Sequence, residues 1–377
     1  MRDAFVEWAI RDLSLFGMPF HFWTGVWFLL GSMVGSFLNV VIYRMPLGMS
    51  VVRPGSQCPQ CQQAIPLSLN IPIISWLWLR GRCRHCSSSI SPRYLAIELF
   101  TGLVFVGTWL KFGHGQPVMA LCLFGLWALF ISATFIDFAH FIIPDEITIG
   151  GTVLGVGATL LAPELHHQET LLAGLKSAGW GIAVGFGVVY GVVRLGKLLF
   201  GRIRLQLAPG SKLIFHADGL MCPDQTFLFE DIFYRPGDTV RIRATRVELP
   251  DRCYQACEVS LALAATPPVL KIGADTFDPS EVGHLEVTAD QAVLPREAMG
   301  FGDVKFMATI GAWLGWKATL FSLGLASFAG AAIGLTLLAL GRGEQNHRLP
   351  FGPYLTFGAV VWVVGGWQSW EHFFGWR

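Results

Sequence analysis

The stretch VMALCLFGLWALFISATFID, residues 118–137, is apolar or small throughout until it ends on Asp137. An α-helix needs about 20 such residues to cross the hydrocarbon layer of a bilayer. A carboxylate at membrane depth is costly unless it faces a polar cavity or takes part in chemistry. The stretch therefore predicts a membrane-spanning fold and marks Asp137 as a candidate functional acid.

The composition of the whole chain agrees with a membrane fold. Of its 377 residues, 53% are hydrophobic and only 14% are charged, whereas an average soluble domain has roughly 25% charged residues. The formal net charge of +1 gives no field that favours nucleic acid or an acidic partner. We expect an all-α polytopic membrane protein with lipid as its surroundings and no nucleic acid as a partner.

Outward from residues 118–137, the apolar runs predict about eight transmembrane helices after a short interfacial helix in residues 1–20. Asp137 would lie at the inner rim of the third. Both termini would lie outside. The predicted spans are residues 23–43, 95–110, 118–136, 147–161, 172–193, 304–316, 318–340 and 354–367.

The distribution of charge predicts the orientation of these spans. The segment from Arg44 to Arg93 contains four further arginines and no Asp or Glu. Basic loops stay on the cytoplasmic side of a membrane. We therefore place this loop in the cytoplasm, together with the basic residues of Gly341–Gly343 and His347–Arg348.

Residues 202–297 differ in character from the rest of the chain. Alternating β-branched and charged residues, as in Thr239–Arg243, and the turn signal Arg235-Pro236-Gly237-Asp238 predict a soluble β-rich insert. The predicted domains are 1–46 (interfacial helix and first span), 47–93 (cytoplasmic zinc-binding loop), 94–201 (spans two to five), 202–297 (insert) and 298–377 (spans six to eight).

Four cysteines in the basic loop form two CxxC pairs. Cys58-Pro59-Gln60-Cys61 and Cys83-Arg84-His85-Cys86 have the spacing typical of a zinc ribbon. Four thiolates close the coordination shell of zinc, so the predicted role is structural rather than catalytic. The alternative is four free thiols or two disulfides. The specific spacing disfavours this alternative, and a reducing cytoplasm disfavours the disulfides in particular.

A second acidic residue suggests a catalytic pair. Asp303 follows two glycines in Gly300-Phe301-Gly302-Asp303-Val304-Lys305 at the mouth of another span. Two carboxylates that share one proton can activate water and polarise a peptide carbonyl. Gly300 and Gly302 would let a peptide backbone approach, and Lys305 would balance the local charge. The alternatives are purely structural roles, in which Asp137 is a helix-terminal residue in contact with water and Gly300–Asp303 is a tight turn. Asp145 is a rival to Asp137 on residue type alone, with capping of the next helix as its simpler role.

The motifs along the chain form an ordered set. Its segments are Gly35–Arg44 with Pro46, both CxxC pairs, Asn70–Pro72, Arg93-Tyr94 with Glu98, Asp137 with Ile143–Asp145, Ala298–Lys305, Gly311–Trp313 and Pro350–Tyr354. This set resembles the type IV prepilin peptidases, the bacterial branch of the GxGD membrane aspartyl proteases.

The resemblance implies a function for this set. It carries the catalytic pair over to Asp137 and Asp303, not to Asp145. It implies removal of the short basic leader of type IV prepilins or type II secretion pseudopilins after a glycine, at the cytoplasmic face of the bacterial inner membrane. The pilus or secretion assembly machinery would be a further partner.

The resemblance also implies a second activity, because relatives with the four cysteines generally methylate the new N-terminus with S-adenosylmethionine. Asn39 and Glu98 are candidates for the methyl-transfer or substrate region. Their alternatives are structural: Gly35–Asn39 as a helix packing face, and Glu98 as a partner of Arg93 or a loop arginine.

Other functions stay open at this point. One is a GxGD peptidase without methyl transfer, and another is a transporter or scaffold that uses the aspartates for protons or ions. The insert is a docking module, a cover over the site or a tolerated insertion. Its three cysteines are read as ordinary thiols rather than as a second metal site: Cys222, Cys253 and Cys257.

Overall fold

The computed structural model describes residues 19–208, 210–216, 218–223, 226–229, 232–233, 237–295, 299–340 and 349–375. Several predictions lie outside these residues, namely the interfacial helix before Pro19, the basic residues of 341–348, and Arg235 and Pro236 of the predicted turn. The described chain forms two compact units. Tyr190–Gly300 is one, and the residues on either side of it form the other.

The first unit is helical, and prolines mark several of its helix starts. Pro92 and Pro117 are each the first residue of a helix, a position where the missing N–H of proline costs nothing. The helices are α1 (Phe20–Arg44), α2 (Ile74–Trp78), α3 (Pro92–Phe112), α4 (Pro117–His140), α5 (Asp145–Leu161), α6 (Leu171–Phe200), α7 (Phe301–Ala339), α8 (Gly352–Val361) and α9 (Trp367–Phe374).

Five described helical segments are long and apolar enough to cross a membrane. A multi-pass membrane protein is therefore confirmed at this level, whereas the number eight stays a prediction. α5 has 17 residues, and α7 joins the predicted sixth and seventh spans across Gly315, whose φ of 83° and ψ of 174° are not helical. The five are Phe20–Leu47, Pro92–Phe112, Pro117–His140, Leu171–Leu199 and Phe301–Ala339.

Small residues bring α1 and α3 into close contact. A Cβ on Gly35 would lie 2.8 Å from Cα of Glu98, and a Cβ on Gly102 would lie 2.6 Å from Oγ of Ser32. Such close approach is typical of membrane helices packed through small side chains. The packing-face interpretation of Gly35 is therefore supported by the structure.

Gly35→Val is expected to lower the stability of the helical unit, because the side chain would collide with the backbone of α3. Overpacking of this kind costs about 1–3 kcal/mol. Thermal unfolding of the full chain in detergent measures the effect. The matched control is Gly25→Val in the same helix, where a Cβ meets nothing within 4 Å. An equal loss of stability in both variants would contradict the packing account.

The described residues of the second unit form one nine-stranded antiparallel sheet, as expected for the predicted β-rich region. The strands are β1 (Arg202–Gln206), β2 (Lys212–Phe215), β3 (Gly219–Met221), β4 (Thr226–Leu228), β5 (Val240–Glu248), β6 (Cys253–Ala262), β7 (Val269–Ile272), β8 (Asp275–Phe277) and β9 (Leu285–Pro295). Their order in the sheet is β4-β3-β2-β9-β5-β6-β7-β8, with β1 also paired to β9.

The sheet is apolar on one face and polar on the other. Burial alternates along β5 and β9, as expected for strands with one solvated face. Ile242, Val259 and Ile272 are almost fully buried and belong to a core that also includes Leu220 and Ile232. The opposite face carries exposed charged residues, among them Arg241 and Arg243 of β5.

Candidate active site and metal centre

Asp137 lies three residues before the end of α4 and is almost fully buried, with 4% of its surface exposed. The backbone N–H of Gly352 donates a hydrogen bond of 2.8 Å to its Oδ2. Gly352 is the first residue of α8. This N–H is one of the donors that a helix leaves free at its N-terminus, where the helix dipole favours negative charge.

A side chain at position 352 would press directly on the carboxylate of Asp137. A Cβ there would lie 2.7 Å from Oδ2 of Asp137 and 3.0 Å from Cδ1 of Ile143. α4 and α8 are also joined by a hydrogen bond of 3.3 Å between the hydroxyls of Thr134 and Thr356. These contacts hold the start of α8 directly against the Asp137 carboxylate.

Asp303 is the third residue of α7 and is buried, with 8% of its surface exposed. α7 is held to α5 by two side-chain hydrogen bonds to backbone carbonyls. The hydroxyl of Thr309 donates to Thr148 over 2.7 Å, and the indole of Trp313 donates to Gly151 over 2.8 Å. The start of α7 is therefore fixed beside the start of α5.

Ile143 connects the surroundings of the two aspartates. A Cβ on Gly302 would lie 3.3 Å from the backbone of Ile143, and Gly352 packs against the side chain of the same residue. Gly302 is adjacent to Asp303, and Gly352 binds Asp137. The two buried carboxylates thus belong to one cluster in which the ends of α4, α5, α7 and α8 converge.

The two glycines before Asp303 differ in their surroundings. Gly302 faces Ile143, so packing already requires a small residue there, and Gly300 is exposed just before α7. The sequence prediction that both admit a peptide backbone is not tested by this geometry.

Lys305 forms an ion pair with Asp145. Its Nζ lies 2.6 Å from Oδ1 of Asp145 and 5.1 Å from the ring centre of Phe301. Asp145 is the first residue of α5, and its side chain is 59% exposed. The expected capping role of Asp145 is therefore replaced by an ion pair, and its exposure separates it from the two buried aspartates.

Glu98 contacts a backbone group of the loop before α3. Its Oε2 accepts a hydrogen bond of 2.7 Å from the N–H of Ile73, a β-branched residue with a φ of 64°, which is strained for such a side chain. No ion pair to Glu98 is seen among the residues that the structure describes. The partner of Glu98 is thus a backbone N–H of the loop and not the arginine that the sequence had predicted.

Asn39 lies in the α1–α3 interface and is nearly fully buried. Its Nδ2 donates to the carbonyls of Gly35 and Tyr94, each over 3.2 Å. Its Oδ1 is buried with no hydrogen-bond partner in the described part of the chain. A buried acceptor without a partner is costly.

The four loop cysteines form a compact cluster, with all four sulfurs within 4.8 Å of one another. Sγ of Cys58 lies 3.8 Å from Sγ of Cys86, and Sγ of Cys61 lies 4.0 Å from Sγ of Cys83. A tetrahedron with metal–sulfur bonds of about 2.3 Å has sulfurs about 3.8 Å apart. The four residues therefore fit one tetrahedral metal ion. Among the described residues, no other group of His, Cys, Asp or Glu side chains is arranged to hold a metal ion.

The cluster favours some thiolates and opposes others. A hydrogen bond from the backbone N–H of Cys61 lowers the pKa of Cys58 to about 6. Cys61 receives a similar hydrogen bond from Gln63, but desolvation and the neighbouring thiols raise its pKa to about 11. A cation at the centre would stabilise all four thiolates together.

Two protein-family models match this chain. Residues 29–112 match the bacterial peptidase A24 N-terminal domain. Residues 122–215 and 261–335 match the type IV leader peptidase family. The chain belongs to the type IV leader peptidase family. The matched segments of the family contain Asp137 and Asp303 and leave out residues 216–260 of the β-rich region.

Curated members of the leader peptidase family extend the similarity over most of the chain. The prepilin leader peptidase/N-methyltransferase of Aeromonas hydrophila is 27% identical over 93% of each chain, and that of Stutzerimonas stutzeri is 26% identical over 89% of each. The relative of the same name from Myxococcus xanthus is 37% identical over 47% of this chain and 56% of its own. No solved structure matches the chain.

Two contacts of this leader peptidase family member were not foreseen from the sequence. The motif Pro350–Tyr354 was used only as one of the segments that carry the family resemblance, and its hydrogen bond to Asp137 was not predicted. The pairing of Lys305 with Asp145 was also missed. A glycine between Phe351 and Pro353 at the start of a helix was the available signal, because glycine is needed where a backbone closely approaches another group.

Proposed function

We propose that this chain is a membrane aspartyl endopeptidase that removes the short basic leader of type IV prepilins or type II secretion pseudopilins, and that it then methylates the new N-terminal residue. Family membership and the names of the relatives support this activity. The observation that carries the site assignment is the hydrogen bond from Gly352 to the buried Asp137, in one cluster with Asp303.

We assign the two aspartates different roles in peptide hydrolysis. The N–H of Gly352 holds the carboxyl group of Asp137 in place by a hydrogen bond to Oδ2, and we assign the role of general base to this residue. Asp137 takes a proton from the attacking water while the water oxygen bonds to the scissile carbonyl carbon. Asp303, protonated at the start, donates a hydrogen bond to the carbonyl oxygen. As the C–N bond breaks, the leaving amine takes the proton that Asp137 had accepted from the water, and both aspartates return to their starting states.

The site would act at the cytoplasmic face of the bacterial inner membrane. The basic loop between Arg44 and Arg93 supports this orientation through the positive-inside rule. We retain eight crossings in this proposal, with α5 as the fourth, the two parts of α7 on either side of Gly315 as the sixth and seventh, and Gly352–Val361 beginning the eighth.

Methyl transfer would require S-adenosylmethionine as the methyl donor, which supplies an electrophilic methyl group to the new N-terminal amine. The names of the relatives support the activity. Asn39 joins α1 to α3 through its hydrogen bond to the carbonyl of Tyr94, and Glu98 holds the adjoining loop in place. We propose these two residues as support for substrate or methyl transfer.

Incubation of the purified full chain with a prepilin and labelled S-adenosylmethionine tests both activities. We expect a shortened product that carries the label. Cleavage without label would leave a peptidase without methyl transfer. An intact prepilin in the presence of folded enzyme would favour a transporter or scaffold.

We further propose that the four-cysteine cluster of the loop holds a structural zinc ion. Its sulfur distances support tetrahedral coordination, and four protein ligands leave no open position for catalysis. Binding would supply folding free energy to a loop with little apolar core of its own. Cys58, Cys61, Cys83 and Cys86 would be the ligands.

Cys83→Ser is expected to reduce bound zinc severely, since the serine hydroxyl is a poor substitute for a thiolate ligand. Elemental analysis of the purified chain measures the zinc content. Cys253→Ser is the matched control, because Cys253 is exposed in β6 and lies outside the cluster. Equal zinc content in the two variants would contradict the assignment.

A further inference from the structure

The exposed face of the β-sheet carries a concentrated positive charge at one end. In the strand registers, Arg204 lies opposite Val293, Val293 opposite Arg241, Arg241 opposite Ser260, and Ser260 opposite Lys271. Residues directly opposite one another point to the same face of a sheet. Three cations therefore share one row across five strands, and all three are exposed.

Neighbouring rows add to this charge. Arg202 precedes Arg204 by two residues in β1, and Arg243 follows Arg241 by two in β5, so both point to the same face. Glu258 is opposite Arg243. We call the five cations Arg202, Arg204, Arg241, Arg243 and Lys271 the basic face.

The basic face has little compensating charge. None of its five cations forms an ion pair with a carboxylate among the residues that the structure describes. Elsewhere on the sheet, by contrast, Lys212 pairs with Glu286 and Arg246 pairs with Glu248, over 2.6 and 2.7 Å. Strands about 4.8 Å apart place the cations of the central row about one screening length from each other. Their mutual repulsion would be relieved by an anionic surface.

The same end of the sheet adjoins the last turns of α6. Lys197 of α6 binds Asp238, which is buried just before β5, over 2.7 Å. Lys197, Arg202, Asp238 and Arg241 line a common cavity. Only Gly201 separates α6 from β1. The basic face therefore begins where an apolar helix that can cross a membrane ends.

We propose that the basic face binds the anionic phospholipid headgroups of the membrane that α6 enters. An array of exposed cations, four of them guanidinium groups, matches a layer of phosphates in charge, and basic residues next to a membrane span are drawn to anionic lipid. The short basic leader proposed as substrate would be repelled from this face. This lipid contact gives the β-rich region a role distinct from substrate docking.

Arginine footprinting of the full chain in nanodiscs tests the proposal. Phenylglyoxal modifies accessible guanidinium groups, and mass spectrometry reads each arginine. We expect the reactivity of Arg202, Arg204, Arg241 and Arg243 to fall about fivefold when phosphatidylcholine is replaced by phosphatidylglycerol. High salt should restore it. Arg246 and Arg252 are the internal controls, since both are exposed but paired with acids.

Reactivity that is equal in the two lipids, or protection that persists at high salt, would overturn the lipid contact. A second arm uses the double variant Arg204→Gln with Arg241→Gln, which should weaken the lipid-dependent protection of Arg243. Arg246→Gln with Arg252→Gln is the matched pair and should leave it unchanged. The proposal rests on the membrane placement in the proposed function, and failure of the chain to enter nanodiscs would refute that placement separately.

Discussion

Asp137→Asn and Asp303→Asn are each expected to reduce leader cleavage by about 10²–10⁴-fold, the usual contribution of a general acid or base. Asparagine has nearly the same shape and can still accept the hydrogen bond from Gly352, but it cannot take a proton from water. The measurement is the rate of prepilin cleavage by the purified variants in detergent or lipid.

The control for this prediction is Asp145→Asn. Asp145 is exposed and pairs with Lys305 at the start of α5, and an exposed ion pair contributes at most about 1 kcal/mol. Its cleavage rate should stay within about fivefold of the parent chain. If Asp145→Asn were inactive while Asp137→Asn retained full activity, the catalytic pair would have to be reassigned.

Gly352→Ala is expected to lower the cleavage rate by about 10²-fold, because displacement of a catalytic group by about 1 Å has effects of this size. The new Cβ would lie 2.7 Å from Oδ2 of Asp137 and 3.0 Å from Ile143. Either the carboxylate or the start of α8 must move, and the 2.8 Å hydrogen bond would be lost or distorted. The cleavage assay measures the result.

Gly324→Ala in α7 is the matched control for Gly352→Ala, since a Cβ there meets nothing within 4 Å. Both variants should enter the membrane and bind zinc as the parent chain does. If Gly352→Ala retained full cleavage, direct support of Asp137 by α8 would be unnecessary for catalysis.

The helices follow closely from the apolar pattern. The second and third predicted spans, residues 95–110 and 118–136, lie within α3 and α4, and prolines mark where both helices begin. Hydrophobic length and helix-start signals are local, so they can be read from one segment at a time. The sequence did not predict that the sixth and seventh spans join into α7 across Gly315, because this junction does not follow from the local apolar pattern.

The contacts around the aspartates could not be predicted in the same way. Gly352 and Asp137 are 215 residues apart in the chain, and Lys305 and Asp145 are 160 apart. Glu98 binds the N–H of Ile73, although an arginine was the expected partner on charge alone. Such pairs depend on which helix ends meet, and composition does not determine that.

The sheet shows the same division between local and distant information. Alternation predicted strands in residues 202–297, but not that β9 pairs with β1, β2 and β5. The basic face depends on this register, since Arg204, Arg241 and Lys271 come from three separate strands. The metal centre was easier to predict from the sequence, because the spacing of each CxxC pair already places two sulfurs together.

The most direct test is mass spectrometry of the prepilin N-terminus in cells that carry either the parent chain or its Asp137→Asn variant. With the parent chain, the account predicts a mature pilin that begins after the leader glycine and is heavier by one methyl group. With the variant, it predicts the full leader. A mature N-terminus produced equally by both would contradict the assignment of Asp137 to catalysis.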